Sequence, residues 1–182
     1  MNIDIKNMIS FYKHTGKYGC LSNFYKTKQP YEFILPECVQ NKDVPNIVLC
    51  ENSEKAIMLC KASLMNDIDM FDEIIKSDDP KIIKALGRKV KNFNDKLWDD
   101  NIEKIAYDVV YQKFKKNDDI QQILLSTKNA ILAEASPWDC IWGIGMDIND
   151  PEINDISKWR GKNLLGYALM KARNTLLQEI KT

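Results

Sequence analysis

The sequence predicts an α+β fold, mostly helical, built as one compact domain over residues 1–182 with a small antiparallel β component. Two observations lead there. From residue 53 onward, apolar residues recur at helical spacing behind residues that cap helices. Between residues 31 and 50, two short runs have the alternation or the β-branched content of strands. With 182 residues, 45% of them hydrophobic and 29% charged, the chain is long enough to bury one sizeable core, and no repeat, linker or shift of composition marks a boundary.

Tyr31-Glu32-Phe33-Ile34-Leu35 alternates and Asn46-Ile47-Val48-Leu49-Cys50 is a short apolar run. The polar stretch Gln40-Asn41-Lys42-Asp43 between them completes a hairpin. Asn52 or Ser53 caps a helix to about Met65, and a short helix covers roughly Met70 to Lys76. Asp79-Pro80 sets a cap before proline at the first helical position and opens a helix to about Val90, with Ile82, Ile83, Leu86 and Val90 inward. Asn94 caps a long helix to about Lys116, whose stripe of Trp98, Ile102, Ile105, Val109 and Tyr111 to Phe114 makes it the candidate central helix. A helix over Asp119 to Leu125 stops at Ser126-Thr127-Lys128-Asn129, and Ala130 to Ala135 reads as a strand. Leu165, Ala168, Leu169, Ala172 and Leu176 share one face of a last helix, Leu164 to about Ile180, with Asn163 as its N-cap.

Charge and cysteine content exclude several classes. Lys plus Arg equals Asp plus Glu at 26 each, which removes the global attraction that non-specific nucleic-acid binders use and fits a nucleotide-sized ligand at least as well. The five cysteines are odd in number and scattered, and with a single histidine, His14, they compose neither a zinc site nor a disulfide framework. They read as buried or half-buried thiols in a reducing, cytoplasmic setting. No apolar run approaches the roughly 20 residues of a membrane span, and Met1-Asn2-Ile3-Asp4-Ile5-Lys6 lacks the apolar core of a secretory signal.

Chemistry concentrates in Ser136-Pro137-Trp138-Asp139-Cys140-Ile141-Trp142-Gly143-Ile144-Gly145, where one carboxylate stands between two indoles and two close glycines follow. Trp138 and Trp142 offer faces for a base or sugar, Asp139 a charge, and Gly143 and Gly145 a backbone that a ligand can approach. An aromatic turn packed on a core is the alternative. Downstream, Arg160, Gly161, Lys162 and Asn163 precede the last helix, and open N–H groups, the positive helix end and two cations there compose a phosphate site or simply a capped helix. Glu54 lies in the first turn of its helix and shares a face with Met58, Lys61 and Met65, with Lys61 about 10 Å along the axis at 1.5 Å per residue. Such a pair is either a rim of ion pairs or two functional groups facing one cavity.

Five separated motifs in order resemble one family. They are Gly19-Cys20-Leu21-Ser22-Asn23-Phe24-Tyr25; Ser53-Glu54-Lys55-Ala56 with Lys61-Ala62; Ala85-Leu86-Gly87-Arg88 with Trp98; Leu132-Ala133-Glu134-Ala135-Ser136 with Asp139 to Gly145; and Gly161-Lys162-Asn163-Leu164-Leu165-Gly166 with Leu169-Met170 and Arg173. The resemblance is to the NADAR family and covers roughly Phe11 to Leu177. It implies a compact, mostly helical α+β domain that hydrolyses an N-glycosidic bond between a ribose-phosphate or ADP-ribose moiety and an amino-bearing base. The associated substrates are ribosylamino-pyrimidine phosphates of the riboflavin pathway, and ADP-ribose on the amino group of guanine, free or in nucleic acid. Glu54, Trp98 and Asp139 match positions regarded as active-site residues, and Lys61, Arg88, Trp142 and Asn163 match positions lining the pocket. A longer polar connection between Gln29 and Asn52 departs from the pattern and bears on substrate choice.

Cleaving such a bond develops positive charge on the sugar and negative charge on the leaving nitrogen, a task for two carboxylates. Asp139 among its indoles is expected to be the general acid, and Glu54 to stay ionised and activate water, with the reverse assignment open. Because the leaving nitrogen is exocyclic, the sugar can ring-open, and Lys61 then has a second route through a Schiff base. Trp98 is either a base-stacking residue or the first core residue of its helix. Arg88 either binds phosphate or pairs with Asp99 or Asp100, Asn23 beside Phe24 bonds ligand or local backbone, and Glu134 orients neighbours. Neither route needs a metal or an organic cofactor. The alternative class is a module that binds ADP-ribose or a nucleotide without hydrolysing it.

Overall fold

A computed structural model describes residues 7–181; the N-terminal hexapeptide, read above as lacking the apolar core of a secretory signal, lies outside the described residues. In chain order the elements are β1 (Met8–Phe11), β2 (Tyr31–Ile34), β3 (Ile47–Cys50), α1 (Ser53–Leu64), α2 (Ile68–Ile75), α3 (Pro80–Gly87), α4 (Asp95–Lys115), α5 (Asp118–Ser126), β4 (Ile131–Glu134) and α6 (Leu164–Glu179), with three short 3₁₀ turns between them. The α+β, mostly helical class holds. The chain forms two compact units, one of described residues 7–22 and 118–181 and the other of residues 23–117. No helix among the described residues is long and apolar enough to cross a membrane.

In the unit of residues 23–117, β2 and β3 make the expected antiparallel hairpin, with Tyr31 opposite Cys50 and Phe33 opposite Val48 on the buried face. The outward face carries Glu32, Ile34, Ile47 and Leu49. Gln112 of α4 accepts from the Ile34 N–H at 2.9 Å and donates to its carbonyl at 2.8 Å, so a side chain closes the open edge of β2. The central helix is α1 rather than α4. It touches α2, α3, α4 and β3, and Ala56, Ile57, Leu59, Cys60 and Ala62 around its circumference are all buried.

Caps set the helix starts in this unit. Asn52 Oδ1 accepts from Lys55 N–H at the start of α1, Asp67 Oδ1 from Met70 N–H at α2, Asp79 from Lys81 N–H at α3, and Asn94 from Leu97 N–H at α4. Because Asp67 is a cap, α2 begins at Ile68, before the expected Met70. Helix α3 ends at Gly87 rather than Val90, and Ile82, expected inward, is 53% exposed while Ile83 is fully buried. On an eight-residue helix one narrow stripe is covered, and two adjacent isoleucines cannot both lie on it.

The other unit holds a parallel pair absent from the sequence reading: β1 lies against β4 in register Met8 with Ile131 through Phe11 with Glu134. Four residues without alternation carry too little periodicity to be read as a strand, and the partner strand is remote in sequence. Helix α6 packs on β4. Arg173 of α6 donates to Thr127 Oγ1 at 2.7 Å and the Ala130 carbonyl at 3.0 Å, tying the helix to the start of the strand. At the other end Gly166 lets the helix approach: a Cβ there would fall inside van der Waals distance of the Leu132 carbonyl oxygen and the Asn163 amide. Gly166→Ala should therefore lower stability by about 1–3 kcal/mol, read as a shift of the urea midpoint at unchanged m.

Candidate functional site

In the unit of residues 23–117 the structure gathers Glu54 and Lys61 of α1 with Phe93 and Trp98. Glu54 is the second residue of α1, 5% exposed, and its N–H donates to the Asn23 carbonyl at 3.0 Å. The positive end of the helix favours a carboxylate there. Two turns on, Lys61 Nζ donates to the Gly87 carbonyl at 2.8 Å and lies 4.4 Å from the centroid of the Phe93 ring. Burial pulls the Lys61 ammonium below the usual lysine range, and the charge of Glu54 acts in the opposite direction. The two side chains thus sense one another, as their shared helix face predicted.

Phe93 was missed by the sequence reading, although a signal was present. It precedes the cap Asn94, and Trp98 is the fourth residue of α4, so the pair occupies the positions of a hydrophobic staple. The rings meet with centroids 6.3 Å apart at 55°. Trp98 is half-buried, not a core residue of α4. The loop bearing Phe93 is pinned by Asp67 Oδ2, which accepts the Lys91 N–H at 2.7 Å, and by Met65 Sδ, which accepts the Asn94 N–H at 3.3 Å. Arg88 is exposed at the C-cap of α3, and Asp100 is bonded to Lys96 at 2.6 Å instead. The ring of Phe24 lies under Lys84 at 5.5 Å.

In the other unit the strand β4 leads into the turn of Asp139. Its Oδ1 accepts the N–H groups of Ile141 at 3.0 Å and Trp142 at 2.8 Å, an arrangement that fixes the carboxyl group against its own turn. Trp142 is half-buried, but Trp138 is 89% exposed and does not screen Asp139 as expected. Cys140 is exposed as well, whereas Cys20, Cys50 and Cys60 are buried, with the Cys50 thiol pushed by burial up to about 12. Glycines 143 and 145 serve the protein's own backbone. A Cβ on Gly143 would stand 2.8 Å from the Glu134 carbonyl oxygen, and Gly145 has φ +68°.

The start of α6 is also different from its expectation as an open anion site. The N–H groups of Lys162, Asn163, Leu164 and Leu165 donate to the carbonyls of Cys140, Gly143, Ile141 and Trp142, and those of Arg160 and Gly161 to Ile144. Donors engaged by the Asp139 turn are not offered to a phosphate, so cation side chains alone, Arg160 and Lys162, remain of that proposal. Asn163 does not cap α6 with its side chain. It adopts the left-handed conformation, φ 51°, is fully buried, and aims its amide at β4, donating to the Leu132 carbonyl at 2.9 Å and accepting the Glu134 N–H at 3.1 Å. Glu134 at the end of β4 is half-buried, and its carbonyl accepts from Ser136 and Ile144. Among the described residues no group of three or more His, Cys, Asp or Glu is placed to hold a metal ion.

Comparison with known proteins follows the same lines. The model of the NADAR domain matches residues 10–177. Protein irg-1 of Caenorhabditis elegans is 36% identical over 88% of this chain and 78% of its own length. N-glycosidase R617 of Acanthamoeba polyphaga mimivirus is 42% identical over 67% of this chain and 72% of its own. The NMR structure of the Escherichia coli protein YbiA superposes with a TM-score of 0.70 at 25% identity, over 96% of this chain and 87% of that one.

Because Glu54 raises what burial lowers in Lys61, Glu54→Gln should move the Lys61 titration further down. The pH dependence of Lys61 acylation, followed by mass spectrometry, should show its midpoint falling in the variant. A native pKa below the unfolded value also means that Lys61 opposes folding at neutral pH. That cost is relieved as pH rises from the folded value toward the ordinary lysine value of 10.5.

Proposed function

The chain belongs to the NADAR domain family, and on that footing we propose that it is an N-glycosidase acting between a ribose-phosphate or ADP-ribose moiety and the exocyclic nitrogen of an amino-bearing base. The observation that carries this reading is the couple of a buried carboxylate, Glu54, and an amine that burial holds below the usual lysine range, Lys61, beside the ring pair Phe93 and Trp98. Two relatives, R617 and YbiA, are named N-glycosidases. Glu54 stabilises the cationic sugar or activates water and Trp98 covers the base, while the general-acid role expected of Asp139 rests on the family resemblance and is tested below by Asp139→Asn.

The lowered Lys61 favours a second route to the same products. The sugar ring opens to an imine, the neutral Nζ adds to C1′, and the base nitrogen takes up the proton and departs as the free amine. Water then hydrolyses the Lys61 imine and restores both amine and sugar.

Purified protein should release base from an ADP-ribosyl-guanine oligonucleotide or from a ribosylamino-pyrimidine phosphate, quantified by chromatography. Glu54→Gln and Asp139→Asn should each lower kcat by about 10²–10⁴-fold, with the acidic limb of the pH–rate profile lost in Glu54→Gln alone. Release from neither substrate, with ligand still bound, would leave the non-hydrolytic binding module in its place. Borohydride added during turnover should trap sugar on Lys61 if the imine route operates; an active Lys61→Arg variant without adduct selects direct hydrolysis.

A further inference from the structure

We propose that the side-chain oxygen of Asn23 selects exocyclic N-glycosides over ordinary nucleosides, by accepting the hydrogen that only the former carry on the glycosidic nitrogen. The identity of the bond rests on the N-glycosidase reading above. Asn23 is 6% exposed, and its Oδ1 is buried with no hydrogen-bond partner among the described residues. Its main-chain carbonyl takes the N–H of Glu54, so residue 23 lies against the first turn of α1, in direct backbone contact with the residue that bears the acid. Folded proteins leave few buried polar atoms unmatched, and each such atom calls for a partner from elsewhere. Asn52 adds a second one: Oδ1 is fixed by the Lys55 N–H, which identifies Nδ2 as the donor end, and that Nδ2 is buried and unmatched among the described residues. An acceptor and a donor therefore both await partners where α1 begins.

The chemistry of the substrate class supplies what Oδ1 lacks. In an ordinary nucleoside the glycosidic nitrogen belongs to the ring, bonds three carbons and bears no hydrogen. In a ribosylamine or an amino-linked ADP-ribosyl base it is exocyclic and keeps one N–H. An amide oxygen beside Glu54 is completed by that N–H and left unmatched by a nucleoside, the arrangement that yields the steepest discrimination between substrates. A neutral amide also suits the position. A second carboxylate would set like charge beside Glu54 and disfavour its ionised form.

The test uses the full chain as wild type, Asn23→Ala and Asn23→Asp. GMP serves as a mimic of the released base, its free exocyclic amine standing where the glycosidic N–H stood, and IMP lacks that amine; calorimetric titration should give wild type and Asn23→Asp a preference for GMP of about tenfold or more. Asn23→Ala should bind both alike. Its thermal midpoint should not fall, since no hydrogen bond is removed. Absence of the preference in wild type, its persistence in Asn23→Ala, or a clear loss of thermal stability in that variant would overturn the assignment. Turnover separates this idea from the reading beneath it. With ribosylamine substrates carrying N–H or N–CH₃, wild type should favour N–H by about ten- to a hundredfold in kcat/KM, and Asn23→Ala should not. No base release by wild type, with the GMP preference intact and dependent on Asn23, sinks the hydrolase alone. Base release with equal N–H preference in both proteins sinks the role of Asn23 alone.

Discussion

The buried amide of Asn163 governs the geometry of the unit that carries Asp139. With one end it gives a hydrogen to the Leu132 carbonyl and with the other it receives one from the Glu134 N–H, so the start of α6 is held to the end of β4 by side chain rather than by sheet. The left-handed backbone at this residue turns the chain so that the following N–H groups reach back to the carbonyls of residues 140–144. Strand end, turn and helix start are thereby one hydrogen-bonded object. The shape of the Asp139 turn is inherited from it, and so are the glycines, which admit backbone where a side chain would collide.

The unit that carries Glu54 solves its positioning problem by burial. Helix α1 is enclosed by its neighbours, which makes rotation or translation of the acid and the lysine costly in packing. What faces Lys61 is the loop of Phe93, and loops need separate restraint. Asp67 serves two masters here, capping α2 with one oxygen and holding Lys91 with the other, and the staple of Phe93 on Trp98 finishes the job at the start of α4. Precision in a loop is obtained from groups whose first duty is to end or begin a helix.

Much of this was legible in the amino-acid sequence because caps and short-range periodicity are local. Asn52, Asp79-Pro80 and Asn94 announce helices that exist, and the alternation of Tyr31 to Leu35 announces a strand whose inward and outward residues are the ones observed. The shared face of Glu54 and Lys61 follows from helical geometry alone. Legibility ended where contacts are remote. Asn163 has the composition of a cap but prefers a strand thirty residues away, and no local rule could place β1 against β4. Gly143 was read as room for a ligand because a sequence does not say whose backbone approaches it. Trp138 reads as a pocket wall because tryptophan is highly buried on average, and no local rule says that this indole stands in solvent.

The parallel pairing of β1 with β4 has a consequence for the order in which the protein comes together. One strand is made before residues 23–117 and the other only after the whole of that segment has emerged between them. The segment in the middle has its hairpin and four helices within its own stretch, so it can collapse on the ribosome while the first strand still waits with its edge unmet. Closure of that long loop is the late and entropically expensive event. The turn of Asp139, which follows β4 directly, takes its final shape only with that closure.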